Sequence, residues 1–481
     1  MENKSYIPKD KRKKILLISD DIRMNSGIST MARELVIGTV GHYNWINLGG
    51  AINHPDMGKK LDISKDTGNI SGIDDASVFI YPYNGYGDPE ILRQLIAMEN
   101  PDALMLFTDP RYFVHIFQME NEIRKKIPIF YLQIWDNFPA PIYNKSFYES
   151  CDLLMSISKQ SKLIPKLVLG DKAKDKVITY LPHGINAKQF FPINEFMKEE
   201  SSKLEEMKDS IFKKERPEFV VFYNSRNIRR KSTSDLIAAY SLFCDSIGKE
   251  KAKKCALLMH TQRQDENGTN LDAVVELLCD PEYQKVYFTD RGLSPEGMNL
   301  LYNISDVTAL ISSNEGWGLS LTESMMAGKM IIANVTGGMQ DQMRFEDENE
   351  NWFTPSENIP SNHFGTYKKH GKWAIPVFPS NMSLVGSIPT PYIFDDRADF
   401  RDVAKAIEEV YNMNSTERTN NGLLGRDWVM SKESKMNAEM MCSSFIEQTS
   451  EAFDKFTKRK SFELIKTEKT PRKKLLHKLV Y

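Results

Sequence analysis

Residues 306–338 read DVTALISSNEGWGLSLTESMMAGKMIIANVTGG. The short apolar run Ala309 to Ser312 suits a strand, and Met330 to Ala333 supplies another, centred on Ile331 and Ile332. Between them stand Glu315 and Glu323, eight residues apart, with Gly316 and Gly318 directly after the first. A helix is predicted to begin near Leu319 to Thr322, and Gly337 and Gly338 close the segment. Strand, glycine-bearing loop, helix and strand make an α/β unit whose loop lies at the carboxyl edge of a sheet, where open α/β sheets bind ligands. Gly316 and Gly318 let backbone N–H groups approach an anionic or hydroxylated ligand closely. The start of the helix offers unpaired N–H donors and a field that favours phosphate. A carboxylate offers two strong acceptor oxygens suited to vicinal hydroxyls. A loop-to-helix transition separates the two glutamates, so they can read opposite ends of one ligand.

Outward from this unit the same pattern recurs through the chain. In the second half, Phe219 to Tyr223, Ala256 to His260 and Val286 to Thr289 read as strands. Ser234 to Phe243, Leu271 to Leu278 and Pro295 to Tyr302 read as helices, with Pro295 near a helix start. In the first half, Ile15 to Ile18, Ser77 to Tyr81, Ala103 to Phe107, Pro128 to Leu132, Leu153 to Ile157 and Val177 to Leu181 read as strands. Ser29 to Val36 suits a helix that Ser26 or Ser29 can cap. Short apolar strands alternating with helices predict parallel sheets covered on both faces. The expected organisation is a basic extension (1–14), a Rossmann-like domain (15–193), a Lys- and Glu-dense connector (194–217) and a second Rossmann-like domain (218–425). Terminal helices (426–454) and a basic tail (455–481) follow. Residues 353–395, rich in Pro, Gly and aromatics, read as an insertion or loop system.

After the first strand of the second half comes YNSRNIRRKS, residues 223–232, with Arg226 and Lys231 five apart. Arg229 and Arg230 are further cations, read as solvent-facing in preference to phosphate contacts. In the first half, Asn25-Ser-Gly-Ile28 forms a loop around Gly27, and Leu181-Pro-His-Gly-Ile185 precedes Phe190-Phe-Pro192.

These strings resemble retaining, nucleotide-sugar-dependent glycosyltransferases of group 1, the GT4-like family that includes glycogen synthase and sucrose synthase. The resemblance implies a GT-B fold: two Rossmann-like domains face each other across a cleft, and C-terminal helices return toward the first. It assigns Glu315 to the hydroxyls of the transferred sugar, Glu323 to the ribose, and Arg226 and Lys231 to the donor diphosphate. The segment Gly316, Gly318 and Leu319, with Gly27 from the first half, is expected to approach the phosphates. UDP-glucose is the implied donor, a hexose the implied cargo, and no metal is expected, the cations neutralising the leaving group instead. Thr289-Asp-Arg291 carries one acid beside a base, which makes no Asp-x-Asp site. Retention implies departure of the diphosphate and attack from one face, with the leaving phosphate helping to deprotonate the acceptor. His183 is read as structural or cleft-lining. The family's histidine after the strand Pro128 to Leu132 is missing. The segment reads YLQIWDNFP, residues 131–139, and among Gln133, Trp135, Asp136 and Asn137 the polar candidate for sugar or acceptor is Asp136.

Composition bounds the rest. The 481 residues suffice for two cores, and a formal charge of -2 with 27% charged residues is that of an ordinary soluble protein. Five cysteines, among them Cys151, Cys255, Cys279 and Cys442, form no CxxC pair, which suits a reducing compartment. No apolar run approaches 18 residues and no signal core opens the chain, so the expected location is cytoplasmic. Residues 455–481 hold ten Lys/Arg against two Asp/Glu. This tail is either a solubilising end or a contact for an anionic surface, DNA or lipid. Gly337 to Met343 and Trp373 to Asp396, the latter containing VGSIPTPYIFDD, resemble segments of glycosyltransferases of large bacteriophages. The expected acceptor is a glycan or lipid-linked glycan. Hydroxymethylated pyrimidines of phage DNA form the alternative, through DNA modification. An inactive carbohydrate-binding GT-B protein and a sugar-nucleotide epimerase are the remaining readings.

Overall fold

A computed structural model describes residues 6–213, 215–289, 292–359 and 361–460. Asp290, Arg291 and most of the basic tail, 461–481, lie outside the described residues. Apolar runs buried on both faces build an eight-stranded sheet in the order β3-β4-β2-β1-β5-β6-β7-β8. Its strands are β1 (Lys13–Asp20), β2 (Tyr43–Gly50), β3 (Leu61–Asp62), β4 (Val78–Pro82), β5 (Ala103–Phe107), β6 (Ile129–Gln133), β7 (Leu153–Ser156) and β8 (Val177–Tyr180). The pairings are parallel except for the short β3, antiparallel to β4. A second, six-stranded parallel sheet runs β11-β10-β9-β12-β13-β14. It comprises β9 (Phe219–Asn224), β10 (Cys255–His260), β11 (Lys285–Thr289), β12 (Val307–Leu310), β13 (Met330–Asn334) and β14 (Ala374–Val377). Both are Rossmann-like, and the strand order reverses between β1 and β5 in one and between β9 and β12 in the other. Those reversals open the crevices in which such sheets bind ligands.

Strands in two stretches of the chain depart from the expectation. β2 is a strand that the apolar pattern did not reveal, because Asn44, Asn47 and the glycines interrupt it. Asn47 is tolerated at the core because its amide is paired: Nδ2 donates to Leu17 O at 3.3 Å and Oδ1 accepts from Ile22 N at 3.2 Å. Within 353–395, read as loops, lie β14 and an antiparallel hairpin of β15 (Asn381–Ser387) and β16 (Thr390–Arg397). Its polar and proline-rich sequence hides an edge strand pair that buries little. The hairpin leans on the first domain, where Phe394 N donates to Phe138 O at 2.7 Å and Tyr143 meets Tyr392 with ring centroids 5.1 Å apart.

The charged connector contains a helix, Lys198–Phe212, that docks on the second domain through Phe212 against Tyr287 of β11 and through the Lys203–Glu296 ion pair to helix Pro295–Ile304. At the other end, helix Ser415–Met430 lies on the second domain and helix Ala438–Lys455 returns to the first. There Tyr43 and Thr449 share a hydroxyl hydrogen bond of 2.7 Å, and Trp45 stacks on Phe445 at 5.9 Å. The outgoing and returning crossings are joined: Ile185 N donates to Met436 O at 2.9 Å and Ala438 N to Ile185 O at 3.0 Å. All five cysteines, Cys244 included, are buried, and none forms a disulfide. At the described start of the tail, Arg459 is held by Glu120 at 2.9 Å and Asn121 at 2.7 Å. Among the described residues no helix is long and apolar enough to cross a membrane.

Helix Ser415–Met430 approaches the second domain so closely that a Cβ on Gly422 would be driven into the Gly328 carbonyl. Gly422→Ala should therefore cost about 1–3 kcal/mol, the usual range for overpacking. The expected readout is a lower urea midpoint with an unchanged m value. An unmoved midpoint would show that the two backbones do not touch.

Candidate active site

The site forms at the reversal of the second sheet. β9 ends in the loop that carries Arg226 to Lys231, and β12 ends in the loop that carries Glu315, so adjacency of the two strands brings residues 84 apart together. Glu315 Oε2 accepts from Lys231 Nζ and from Arg230 Nη1, the latter at 3.0 Å. Arg230 Nη1 also donates to Asn314 O at 2.8 Å. Burial opposes the Glu315 charge, but the Arg230 and Lys231 cations overcome it and hold its carboxyl down to about 2. Burial lowers Lys231 to about 8, against the pull of Glu315.

The glycines place this carboxylate. Gly337 has φ +54, and a side chain there would strike Glu315 O. Gly338 N donates to that oxygen at 3.0 Å. The trailing Gly-Gly pair is thus the seat on which the Glu315 loop rests. Gly318, with φ +89, begins helix Leu319–Met326 without a side-chain cap. Helix Thr233–Ile247, which starts just after Lys231, also lacks one. Some other helix starts are capped, by Ser26, Asp88, Ser158 and Ser294, while those of Ser64–Ser71 and Lys198–Phe212 are bare as well. Two bare helix starts therefore flank the Lys231–Glu315 pair, and their N–H groups favour an anion.

Glu323 lies one turn into the Leu319 helix. Its Oε2 accepts from Tyr302 Oη at 2.5 Å, and Tyr302 in turn accepts from Asn224 Nδ2 at 2.9 Å. Burial raises Glu323 to about 6. The first domain closes the site. Gly27, at the start of helix Gly27–Thr39, would bring a Cβ within 3.2 Å of Leu319, and one on Gly316 would stand 3.4 Å from Asp136 Oδ2. Burial raises Asp136 to about 7, a shift that Arg230 opposes and Glu315 reinforces.

The structure brings together Glu315, Lys231, Gly316, Gly318 and Leu319 with Gly27 and Asp136. It places Arg226 differently: the side chain is exposed and directed at Asp265, with contacts of 2.6 and 3.1 Å. Asp265 also accepts from Asn267 N at 2.9 Å, so its carboxylate is already fixed to receive the guanidinium fork. Arg230, read as solvent-facing, is instead the cation beside Lys231. Only Arg229 of that pair is exposed. The signal was present in the unbroken string Arg229-Arg230-Lys231, but only the short turn 229–231 shows which member points inward. Gln133 is absorbed by the fold, donating to Ser156 and to Ser161 O. His183 lies between Phe107 and Trp317, and burial lowers it to about 3, which keeps it neutral. The distinctive Gly337 to Met343 string is architectural. Gln342 donates to Gly318 O and Thr322, and Asp341 accepts from Lys159 N at 2.8 Å across the domains. Among the described residues no group of three or more His, Cys, Asp or Glu stands together as metal ligands would. A cavity of about 700 Å³ lies at the opposite, amino-terminal edge of the first sheet, where Arg12–Asp75 and Lys60–Glu99 pair with one another.

Residues 204–359 match the family model of the glycosyl transferases group 1. Within those residues the chain is similar to the group 1 glycosyl transferases. Among solved structures, Alr3699/HepE from Anabaena, in complex with UDP and glucose, superposes with a TM-score of 0.61 at 12% identity, covering 92% of this chain and 100% of that one. Sucrose-phosphate synthase from Thermosynechococcus elongatus gives 0.62 at 16% identity, with coverage of 92% and 100%. The trehalose 6-phosphate synthase of Burkholderia multivorans gives 0.58 at 10%, with 92% and 98%. No curated protein matches the sequence. The fold is GT-B, and with the group 1 region it supports a glycosyltransferase enzyme. That region contains every second-domain side chain of the site.

The raised pKa of Glu323 gives a signed prediction. Its folded value of about 6 exceeds the ordinary carboxylate value, so the folded state favours the protonated form. Its contribution is full below about pH 4 and is lost as pH rises through 6. Glu323→Gln, which can still accept from Tyr302, should raise Tm above pH 6 and leave it unchanged at pH 4. Equal Tm values at both pH values would mean that Glu323 is well solvated.

Proposed function

We propose that the protein is a retaining glycosyltransferase that moves a hexosyl group, glucose foremost, from UDP-glucose to a hydroxyl of a glycan or lipid-linked glycan. The observation that carries this reading is the Lys231–Arg230–Glu315 cluster between two uncapped helix starts. A nucleoside diphosphate needs fixed cations and N–H donors in one place, and a sugar needs a carboxylate beside them. The reading is supported by the group 1 match and by the UDP and glucose named for the Anabaena structure.

In this reading Lys231 and Arg230 take the diphosphate, joined by Arg226 when it leaves Asp265. Charge grows on the leaving oxygens as the glycosidic bond breaks, and cations already in place stabilise it without reorganisation. The transferred sugar's hydroxyls donate to Glu315, and the ribose hydroxyls to Glu323. The backbone of Gly316, Gly318 and Leu319 lines the phosphate path, with Gly27 opposite. Asp136 faces the sugar from the first domain. The glycosidic bond to the diphosphate breaks, the acceptor oxygen bonds to the anomeric carbon from the same face, and its proton passes to the leaving phosphate. The cations of this chain meet the charge of the leaving group, so the proposal requires no metal. A closed cleft keeps water from competing with the acceptor. The charge count gives the Glu315 contact a second purpose. Without donor, Glu315 neutralises the cations that the diphosphate later shares.

Two outcomes test this. Release of UDP from UDP-glucose, followed in a panel of UDP-, GDP- and ADP-sugars, should fall at least about 100-fold in kcat/KM for Lys231→Ala, the scale of a lost transition-state charge contact. Release from no donor by the folded protein would overturn the enzymatic reading in favour of binding alone. Second, Lys231 loses its proton near pH 8. UDP affinity should therefore fall about tenfold per pH unit above 8, and Lys231→Arg should flatten that fall. A wild-type affinity independent of pH between 7 and 9.5 would remove Lys231 from the diphosphate site.

A further inference from the structure

We infer that Lys159 is a positioning residue for the reaction: it locks the first domain to the segment on which Glu315 is seated. Its role rests on the glycosyltransferase reading, since alignment matters only where a donor and an acceptor must meet. Lys159 follows β7 and opens helix Lys159–Leu169, which Ser158 caps by accepting from Ser161 N at 3.0 Å. Two of its groups cross to the second domain. The backbone N donates to Asp341 Oδ2 at 2.8 Å, at a helix start whose field favours a carboxylate. The ammonium donates to Phe353 O at 2.8 Å and to Trp352 O at 3.3 Å, and it stands 3.5 Å from the centre of the Trp352 ring.

The receiving groups lie on one continuous segment, 337–353. In chain order it carries Gly337 and Gly338, which bear the Glu315 carbonyl, then Asp341 on the short helix Met339–Met343, then the carbonyls of Trp352 and Phe353. The segment is held together along its length. Gln340 is buried and donates to Gly337 O at 3.1 Å and to Ser361 O at 3.0 Å. Phe353 N donates to Phe345 O at 2.7 Å, and Trp352 meets Trp428 edge-on at 5.0 Å. A displacement at Lys159 is therefore passed to the Glu315 seat through bonded backbone.

The neighbours of Lys159 reach the site from the other side. Gln160 Nε2 donates to Asp136 O at 2.6 Å. A Cβ on Gly316 would stand 3.0 Å from Ile157 Cδ1 and 3.3 Å from Ile134 O. Ile157, Lys159 and Gln160 thus touch, in turn, the glutamate loop, the segment that seats it, and the backbone of the acid opposite. One short stretch of the first domain fixes where Asp136 stands relative to Glu315.

The chemistry of the contact suits alignment better than adhesion. Burial raises Asp341 to about 6 and lowers Lys159 to about 8, each against the attraction of the other. Burying both charges is unfavourable in itself, and an apolar seal would hold the domains at less cost in lost hydration. An apolar seal would also hold them over a range of positions. Here the amide and the ammonium of a single residue must reach a carboxylate, two carbonyls and a ring face together, and only one position satisfies them all.

The test compares the full chain with Lys159→Met, which keeps the stem and loses the charge, and with Lys159→Arg, which keeps the donors and the cation over Trp352. UDP release from UDP-glucose, UDP titration, and hydrogen exchange over 337–353 with and without UDP are measured on all three. Lys159→Met should lower kcat at least about tenfold, the scale of a small misplacement of reacting groups. Its KM for UDP-glucose and its UDP affinity should stay within about twofold, because the diphosphate contacts belong to the second domain. Exchange over 337–353 should quicken, and Lys159→Arg should restore about half of kcat or more. A side chain that only stabilised the fold would reduce the fraction of chains that bind UDP and leave kcat per binding site unchanged. That result would overturn the inference, as would UDP affinity falling in step with kcat, or exchange that Lys159→Met leaves unmoved. The two readings fail separately. UDP bound and released with kcat and exchange indifferent to Lys159 sinks the lock alone. No UDP bound by the wild type, with exchange over 337–353 quickened in Lys159→Met, sinks the donor assignment and leaves the lock between the domains standing.

Discussion

Three charged side chains, Glu315, Lys231 and Arg230, meet in a half-enclosed crevice, and much of the surrounding architecture serves to keep them there. Taking such groups out of water costs several kcal/mol apiece unless their partners are fixed. The fold fixes them by backbone. Gly337 and Gly338 let one loop lie directly on the Glu315 carbonyl. Asn334 Nδ2 bonds to Ser312 O and to Asp396 O, each at 2.8 Å, and so ties the glutamate loop to the β15–β16 hairpin. Ser313 and Asn314 add contacts to Asp395 at 3.1 and 2.7 Å. The carboxylate is positioned from three directions before any ligand arrives, which is the condition for electrostatic help without reorganisation.

The hairpin shows how a segment of poor pattern can matter to a site. Its base supports the glutamate loop, while its backbone and Tyr392 reach Phe138, Ala140 and Tyr143 of the first domain. Phe138 lies two residues beyond Asp136. One ribbon thus touches the neighbourhood of the acid on each side of the cleft and sets their separation.

What the sequence discloses follows from what each feature depends on. The β9 and β12 strands, the Leu319 helix and the glutamate loop are local patterns, and each was legible within a few residues of its true bounds. β2 was not, because Asn47 is acceptable in a core only when Leu17 O and the Ile22 N–H stand beside it, and a linear pattern holds no such information. The hairpin escaped because an exposed edge pair need not alternate apolar and polar residues. Lys231 and Glu315 could be singled out but not joined, since their contact is made by strand order. The choice between Arg226 and Arg230 depended on where a three-residue turn aims its side chains and on Asp265, 39 residues away.

The chain passes between its two halves twice, and the passages are stitched together where Ile185 pairs with Asn437. A Cβ on Gly184 would stand 2.5 Å from Asn437 O, so the two strands run in backbone contact. Two separate tethers would allow the halves to twist as well as to swing. Two tethers bound side by side act as a single pin, and any swing must turn about it. A turn about that pin would move Gly27 and Asp136 relative to Leu319 and Gly316 along a single arc, and the hairpin's contacts with the first domain hold them at its closed end.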